Sequence, residues 1–130
     1  LSHQLTKIPA FNFTSEGLEF FPATNPHLLW LKLSSETDDI FKLNRCLIRE
    51  LSTKGIMPDK KAMKLHITLA RLKMNLAPEL EREIMSKDLK QGPLVFDSIC
   101  LYKSLLLPEG PQYTILNKYN LLDSRRLNAG

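Results

Sequence analysis

The feature that most constrains the fold of this chain is a change in the spacing of its apolar residues. One set recurs at the three- and four-residue spacing of a helix face: Ile40, Leu43, Leu47 and Leu51. Gly55 follows this set as a stop signal. Within residues 65–70, apolar residues instead alternate with small or polar ones, which is the spacing of a strand. With 130 residues, 43% of them hydrophobic, the chain is predicted to form a single domain over residues 1–130 that mixes helices and strands.

The N-terminal part of the chain is predicted to form strands that lead into the first helix. The first thirty residues contain short apolar runs split by a turn at Glu16-Gly17, and residues 27–33 form a strand that is apolar on both faces. Ser34 and Ser35 are placed to cap the helix that follows. Its first turn holds acidic residues, which the helix dipole favours there: Glu36, Asp38 and Asp39.

The C-terminal half is predicted to contain one further helix and two long strands. Pro78 fits the first position of a short helix that ends near Gly92-Pro93. Strands over residues 94–106 and 113–121 then complete the chain. The predicted order is β-β-β-α-β-α-β-β. The fold class is α+β, with a mostly antiparallel sheet and the two helices on one face.

Charge and cysteine content limit the classes of function. The 18 Lys and Arg residues exceed the 14 Asp and Glu residues, giving a net charge of +4. This excess favours an anionic partner such as a nucleotide or an RNA end, and a solubility surface explains it equally well. No window approaches the roughly 18 apolar residues of a membrane span, so we expect no membrane partner. Cys46 and Cys100 fall in apolar runs and are predicted to be reduced core residues of a cytoplasmic protein.

Two polar residues in the predicted strand over 65–70 can carry chemistry. His66 and Thr68 are two positions apart, so on a strand they project from the same face about 7 Å from each other. Histidine exchanges a proton near neutral pH, and a threonine hydroxyl donates a hydrogen bond to a phosphate oxygen. Three residues with one free position are a weak motif by themselves, and a structural histidine also fits them. No metal-ligand spacing and no glycine-rich phosphate loop accompanies them, so we expect no metal and no cofactor.

The surrounding residues make the motif more specific. The stretch HITLAR at residues 66–71 resembles the second signature of the 2H phosphoesterase superfamily, and in particular of the RNA 2',3'-cyclic phosphodiesterases, also called 2'-5' RNA ligases. Other stretches resemble the same family in the same order: Phe20-Phe21-Pro22, Leu29-Trp30-Leu31, the helix ending near Gly55, and the segments at 101–104, 110–111 and 113–114. The resemblance covers nearly the whole chain. It implies the fold of the C-terminal lobe of a bilobal phosphoesterase.

The sequence departs from this family in one respect. The family carries two His-x-Thr/Ser motifs, one on each lobe, which face a central groove. Only the second is present here. The segment His3-Gln4-Leu5-Thr6 separates its polar pair by three positions, which on a strand sends them to opposite faces, so we reject it as the first motif. By this comparison the chain is expected to begin just after the first motif and to resemble the C-terminal two thirds of a complete enzyme.

The resemblance implies a reaction and a role for each residue of the motif. Water opens a 2',3'-cyclic phosphate to a 2'-phosphate without a metal, and the reverse reaction joins RNA ends. Attack needs a base and departure of the ribose oxygen needs an acid, which explains the use of two histidines. His66 corresponds to one of them, in either role, Thr68 to a phosphate hydrogen-bond donor, and Arg71 to a phosphate-contacting arginine. Strict alternation aims Arg71 away from His66, so a bulge or the end of the strand must redirect it.

Other residues are weaker candidates. The resemblance makes Tyr102 and Tyr113 candidate groove residues, and core or edge packing is the alternative. Trp30 is predicted to lie in the core and His27 to be exposed. Arg125 and Arg126 are predicted to belong to a solvated terminus.

Three functions of different classes are compatible with these patterns. The first is an RNA 2',3'-cyclic phosphodiesterase whose chain is impaired alone and is completed by an N-terminal lobe chain or by a second copy in a homodimer. Its partners are RNA ends or cyclic nucleotides. The second is a binding module that holds a nucleotide or an RNA end without chemistry. The third is a structural fragment whose exposed sheet pairs with itself.

Overall fold

The structure is a computed structural model that describes residue 5, residues 7–59 and residues 61–122. His3, Thr6, Arg125 and Arg126 lie outside the described residues. The elements follow in the order β1 (Phe11–Phe21), β2 (Leu28–Ser35), α1 (Asp39–Thr53), β3 (His66–Arg71), α2 (Pro78–Met85), β4 (Gln91–Phe96), β5 (Ser98–Leu107) and β6 (Gly110–Asn120). The α+β class and the antiparallel pairing of strands are confirmed.

The strands form two sheets. A four-stranded sheet has the order β3-β2-β1-β4, and β5 pairs with β6 in a two-stranded sheet. The chain divides into two compact units. One unit holds α2 and the four-stranded sheet except for the first residue of β1 and the last two of β4, and the other holds α1, β5 and β6. The predicted common face for the two helices stays a prediction. In the described residues, neither helix is long and apolar enough to cross a membrane.

The first strands differ from the prediction at Glu16-Gly17. β1 runs through this pair without a turn, because Ser15 lies opposite Leu33 and Gly17 lies opposite Lys32, which leaves Glu16 as the extra residue of a β-bulge. Gly17 has a φ of +130°, a conformation that glycine adopts without the strain that other residues incur. The dipeptide therefore bends one strand instead of separating two. As a result, two strands and not three precede α1.

The first helix has the predicted apolar face but a different start. Ser34 and Ser35 belong to β2, and Asp38 is the N-cap residue, without a side-chain capping hydrogen bond. The Ser34 hydroxyl instead donates to the Glu16 carboxylate across the β1–β2 pair. The helix face is confirmed by three buried residues, Ile40, Leu43 and Cys46. Cys46 and Cys100 are both free, the first buried and the second half-buried.

The C-terminal elements also differ in their boundaries. Helix α2 begins at Pro78 as predicted but ends at Met85, and Gly92 and Pro93 lie in the edge strand β4. The single strand predicted over residues 94–106 is divided at Asp97 between β4 and β5, which belong to different sheets. The Asp97 carbonyl accepts a hydrogen bond from the Leu121 amide at 2.8 Å. The observed order is therefore β-β-α-β-α-β-β-β.

Candidate active site

Strand β3 carries the His-x-Thr motif at the edge of the four-stranded sheet. In its antiparallel pairing with β2, His66 lies opposite Lys32 and Thr68 lies opposite Trp30. Because paired residues of antiparallel strands project from the same face, His66 and Thr68 share one face with Lys32 and Trp30. We call this surface of β1, β2 and β3 the histidine face.

A β-bulge in β3 places Arg71 on the histidine face as well. The pairing passes from Trp30–Thr68 directly to Leu29–Ala70, so Leu69 is an extra residue without an opposite partner. The alternation of side chains is therefore reset after Thr68. Arg71 lies opposite Leu28, which is two residues from Trp30 and projects with it. The sequence predicted that a bulge or the end of the strand would turn Arg71 toward the side of His66, and the structure has the bulge.

The imidazole of His66 is oriented by a hydrogen bond to the backbone. Its Nδ1 lies 2.7 Å from the carbonyl oxygen of Lys64. A carbonyl oxygen only accepts, so Nδ1 carries a hydrogen in this contact and donates it. The Nε2 atom of the neutral ring then has the lone pair and is the atom that exchanges a proton. The side chain is half-buried.

Two aromatic rings continue the ring stack of His66 across the sheet. The Trp30 ring lies 3.9 Å from the imidazole, centroid to centroid, with 21° between the planes. Phe21 stacks on the other side of Trp30 at 4.1 Å and 12°. The ammonium group of Lys64 lies 4.4 Å from the Phe21 centroid and 5.9 Å from that of Trp30, within cation–π range. Trp30 is core as predicted, but its contact with His66 was not predicted.

The charges near the histidine face favour an anion. Lys32 and Arg71 belong to the face, and the Lys64 ammonium lies over its rings. Two carboxylates of β1 lie on the same side. Glu19, opposite Trp30, lies 4.0 Å from Lys32, and Glu16 accepts a hydrogen bond from Ser34, which shares its face with Lys32. The side chains of Thr68 and Arg71 are exposed and contact no other described residue through a hydrogen bond or ion pair. Their donors are therefore available to a ligand such as phosphate.

The two tyrosines of the prediction lie on the β5–β6 sheet, in the other unit. Tyr102 and Tyr113 contact each other edge to face, with centroids 6.2 Å apart and 78° between the rings, and they line a cavity of about 330 Å³. Tyr102 is 50% exposed and Tyr113 is 64% exposed, which excludes packing in the core. Their assignment to the groove stays a prediction.

Two further observations concern His27 and the side chains that could bind a metal ion. His27 is exposed, as predicted, and precedes β2. Within residues 5, 7–59 and 61–122, no three or more His, Cys, Asp or Glu side chains are grouped so that they can hold a metal ion.

Comparison with known proteins identifies the family. The sequence profile of the LigT like Phosphoesterase family matches residues 31–113, which include the whole of β3. The chain belongs to this family. The resemblance of the HITLAR stretch to the 2H phosphoesterases is thereby confirmed.

Curated proteins are similar over most of the chain. An RNA 2',3'-cyclic phosphodiesterase of Thermotoga maritima is 32% identical over 117 residues, which cover 89% of this chain and 61% of the relative. One from Aeropyrum pernix is 28% identical over 120 residues, covering 90% and 68%. The crystal structure of the protein TT0787 of Thermus thermophilus superposes with a TM-score of 0.66 at 25% identity, covering 92% of this chain and 65% of that one. The chain thus spans about 61% of the length of the Thermotoga relative.

Proposed function

We propose that this LigT-like chain provides one of two proton-transfer groups of an RNA 2',3'-cyclic phosphodiesterase. The observation that carries the proposal is the bulge at Leu69, because it gives the histidine face a proton carrier, a neutral donor and a cation together: His66, Thr68 and Arg71. The names of the Thermotoga and Aeropyrum relatives support a cyclic phosphate as the substrate.

The reaction assigns each of these groups a role. A water oxygen forms a bond to phosphorus and loses a proton to a base, while the bond between phosphorus and the ribose 3'-oxygen breaks and that oxygen takes a proton from an acid. The product is a 2'-phosphate. His66 exchanges one of these two protons through Nε2. The Thr68 hydroxyl and the Arg71 guanidinium donate to the phosphate oxygens, where negative charge increases during attack.

The proposal assigns the second proton carrier to another polypeptide segment. Among the histidines that the structure describes, His66 belongs to a strand of the histidine face, whereas His27 is exposed and precedes β2. One group cannot readily serve as base and acid on opposite sides of phosphorus at the same moment. We infer that an N-terminal lobe, or a second copy of this chain, supplies the partner group.

Reconstitution tests this proposal. The chain is mixed with a polypeptide that corresponds to the part of the Thermotoga relative outside the match, and hydrolysis of a 2',3'-cyclic nucleotide is followed by chromatography of the 2'-phosphate. We expect turnover in the mixture, a loss of about 100-fold or more in His66→Gln, and no loss in the matched control His27→Gln. Activity of the chain alone that rises with the square of its concentration assigns the partner group to a second copy.

A binding module is the second candidate, and the presence of a single histidine on the histidine face within the described residues favours it. In that case a nucleoside 2'-phosphate binds and is perturbed by Arg71→Ala, while no mixture or concentration of the chain turns over a cyclic nucleotide. Turnover that is unaffected by His66→Gln contradicts the phosphodiesterase proposal.

The compartment is a further part of the proposal. Cys46 and Cys100 are both free thiols, which suits a reducing compartment such as the cytoplasm. Localisation of a tagged chain by fractionation or microscopy checks this assignment, and recovery from an oxidising compartment contradicts it.

A further inference from the structure

The imidazole of His66 is held by two contacts that act in different directions. The N–H bond at Nδ1 lies in the plane of the imidazole, so its hydrogen bond to the Lys64 carbonyl at 2.7 Å restricts the rotation of the ring about its bond to Cβ. The Trp30 ring covers one face of the imidazole at a centroid distance of 3.9 Å and blocks tilting toward the sheet. Together these contacts determine where Nε2 points.

Trp30 is itself held in place by burial and by contacts to its ring. It is 7% exposed, Phe21 stacks on its other face at 4.1 Å, and the Lys64 ammonium lies 5.9 Å from its centroid. Lys64 thus contacts both ends of the arrangement, with its carbonyl at His66 and its ammonium over the rings. The support of the imidazole therefore extends through β2 into β1.

The indole nitrogen shows that Trp30 is not placed there for a hydrogen bond. Its Nε1 atom is buried and has no hydrogen-bond partner among the described residues. Among the described residues, the contacts given for the indole are therefore those of its ring faces, with His66, Phe21 and Lys64. The aromatic face, and not the N–H group, is the property that this position uses.

We propose that Trp30 is a positioning residue for His66, acting through ring stacking to aim Nε2 at the phosphate. The proposal rests on the proposed function for its effect on catalysis, but not for its effect on the imidazole. A displacement of about 1 Å at a catalytic group can cost about 100-fold in rate. Loss of the stack therefore lowers kcat and leaves KM nearly unchanged, since Thr68 and Arg71 still bind the phosphate.

The first readout is nuclear magnetic resonance of the unmodified chain. We expect nuclear Overhauser contacts between the ring protons of His66 and Trp30, an upfield shift of the His66 ring protons from the indole ring current, and a neutral tautomer with the hydrogen on Nδ1. Absence of the Overhauser contacts overturns the proposal without any variant and without any assay of activity.

Three variants separate positioning from simple core packing. Trp30→Leu removes the ring, whereas Trp30→Phe keeps an aromatic face and removes the N–H group that has no partner among the described residues. Phe13→Leu is the matched control, since Phe13 is 5% exposed in the same unit and lies opposite Ser35, on the other face of the sheet from Trp30. All three are compared by urea unfolding to give their free energies of unfolding.

The expected pattern distinguishes the two roles. Trp30→Leu loses the upfield shift and the single tautomer of His66, and in the reconstituted enzyme it loses about 10- to 100-fold in kcat. Trp30→Phe restores both, and Phe13→Leu loses stability but keeps the His66 signals. Equal changes in Trp30→Leu and Phe13→Leu, or no change in either, overturn the proposal. If reconstitution gives no turnover at all, the proposed function fails while the resonance data still decide the role of Trp30.

Discussion

Replacing Thr68 with valine removes one hydroxyl from the histidine face and little else. The two side chains are nearly the same size and both are β-branched, so the pairing of Thr68 with Trp30 should persist. The hydroxyl hydrogen-bonds to no other described residue, so no internal partner is lost. A hydrogen bond to a charged acceptor contributes about 1.5–3 kcal/mol, which corresponds to about 10- to 150-fold in affinity. We therefore expect Thr68→Val to bind a nucleoside 2'-phosphate about 10- to 150-fold more weakly.

Isothermal titration calorimetry with a nucleoside 2'-phosphate measures this loss. Thr68→Ser keeps the hydroxyl and is the matched control, with an expected change of less than about 5-fold. Urea unfolding of both variants checks that the free energy of unfolding stays within about 0.5 kcal/mol of the parent, as for other exposed positions. Equal affinity of Thr68→Val and the parent would show that this hydroxyl does not contact the phosphate.

Other predictions concern the scaffold. Leu43→Ala in α1 should lower the free energy of unfolding by about 2–5 kcal/mol, because Leu43 is 2% exposed, whereas Arg45→Ala at a more accessible position of the same helix should change it by less than about 0.5 kcal/mol. The hydrogen bond from Ser34 lowers the pKa of Glu16 below its ordinary 4.5, with Lys90 and Lys32 adding to the effect. Ionised Glu16 therefore stabilises the folded state above about pH 4.5, and this stabilisation is lost as the pH falls through the lowered pKa. Because the Ser34 hydroxyl is the main cause, Ser34→Ala should raise the Glu16 pKa in a carboxyl titration by nuclear magnetic resonance. Gly17→Ala should cost about 1–3 kcal/mol because its φ is +130°, and an unchanged urea midpoint would contradict that.

The sequence predicted well where a local periodicity and the tertiary packing agree. The face of α1 follows from the spacing of Ile40 and Leu43, since an amphipathic helix has one way to bury that face. Strand β3 follows from alternation, and both of these periodicities depend only on residues near one another in the chain. The expectation of a bulge or a strand end before Arg71 comes instead from the family resemblance, which requires Arg71 to face the same way as His66, and the bulge is what the structure has.

The sequence failed where one local signal fits two backbone outcomes. A Glu-Gly pair favours a turn, yet the neighbouring strand β2 pairs on both sides of it and makes it a bulge. Ser34 can cap a helix, but the Glu16 carboxylate across the sheet accepts its hydroxyl. The stack of Trp30 on His66 depends on the register between β2 and β3, which periodicity does not give. Lys64 lies only two residues before His66, and this closeness in the chain was the signal that could have predicted its contact with the imidazole.

We expect His66, Thr68 and Arg71 to present their side chains to one phosphate group. A crystal structure of the chain with a nucleoside 2'-phosphate tests it most directly. Phosphate oxygens should lie within hydrogen-bond distance of His66 Nε2, Thr68 Oγ1 and the Arg71 guanidinium at once. A phosphate bound away from β3, or an Arg71 side chain on the opposite face of the sheet, would contradict it.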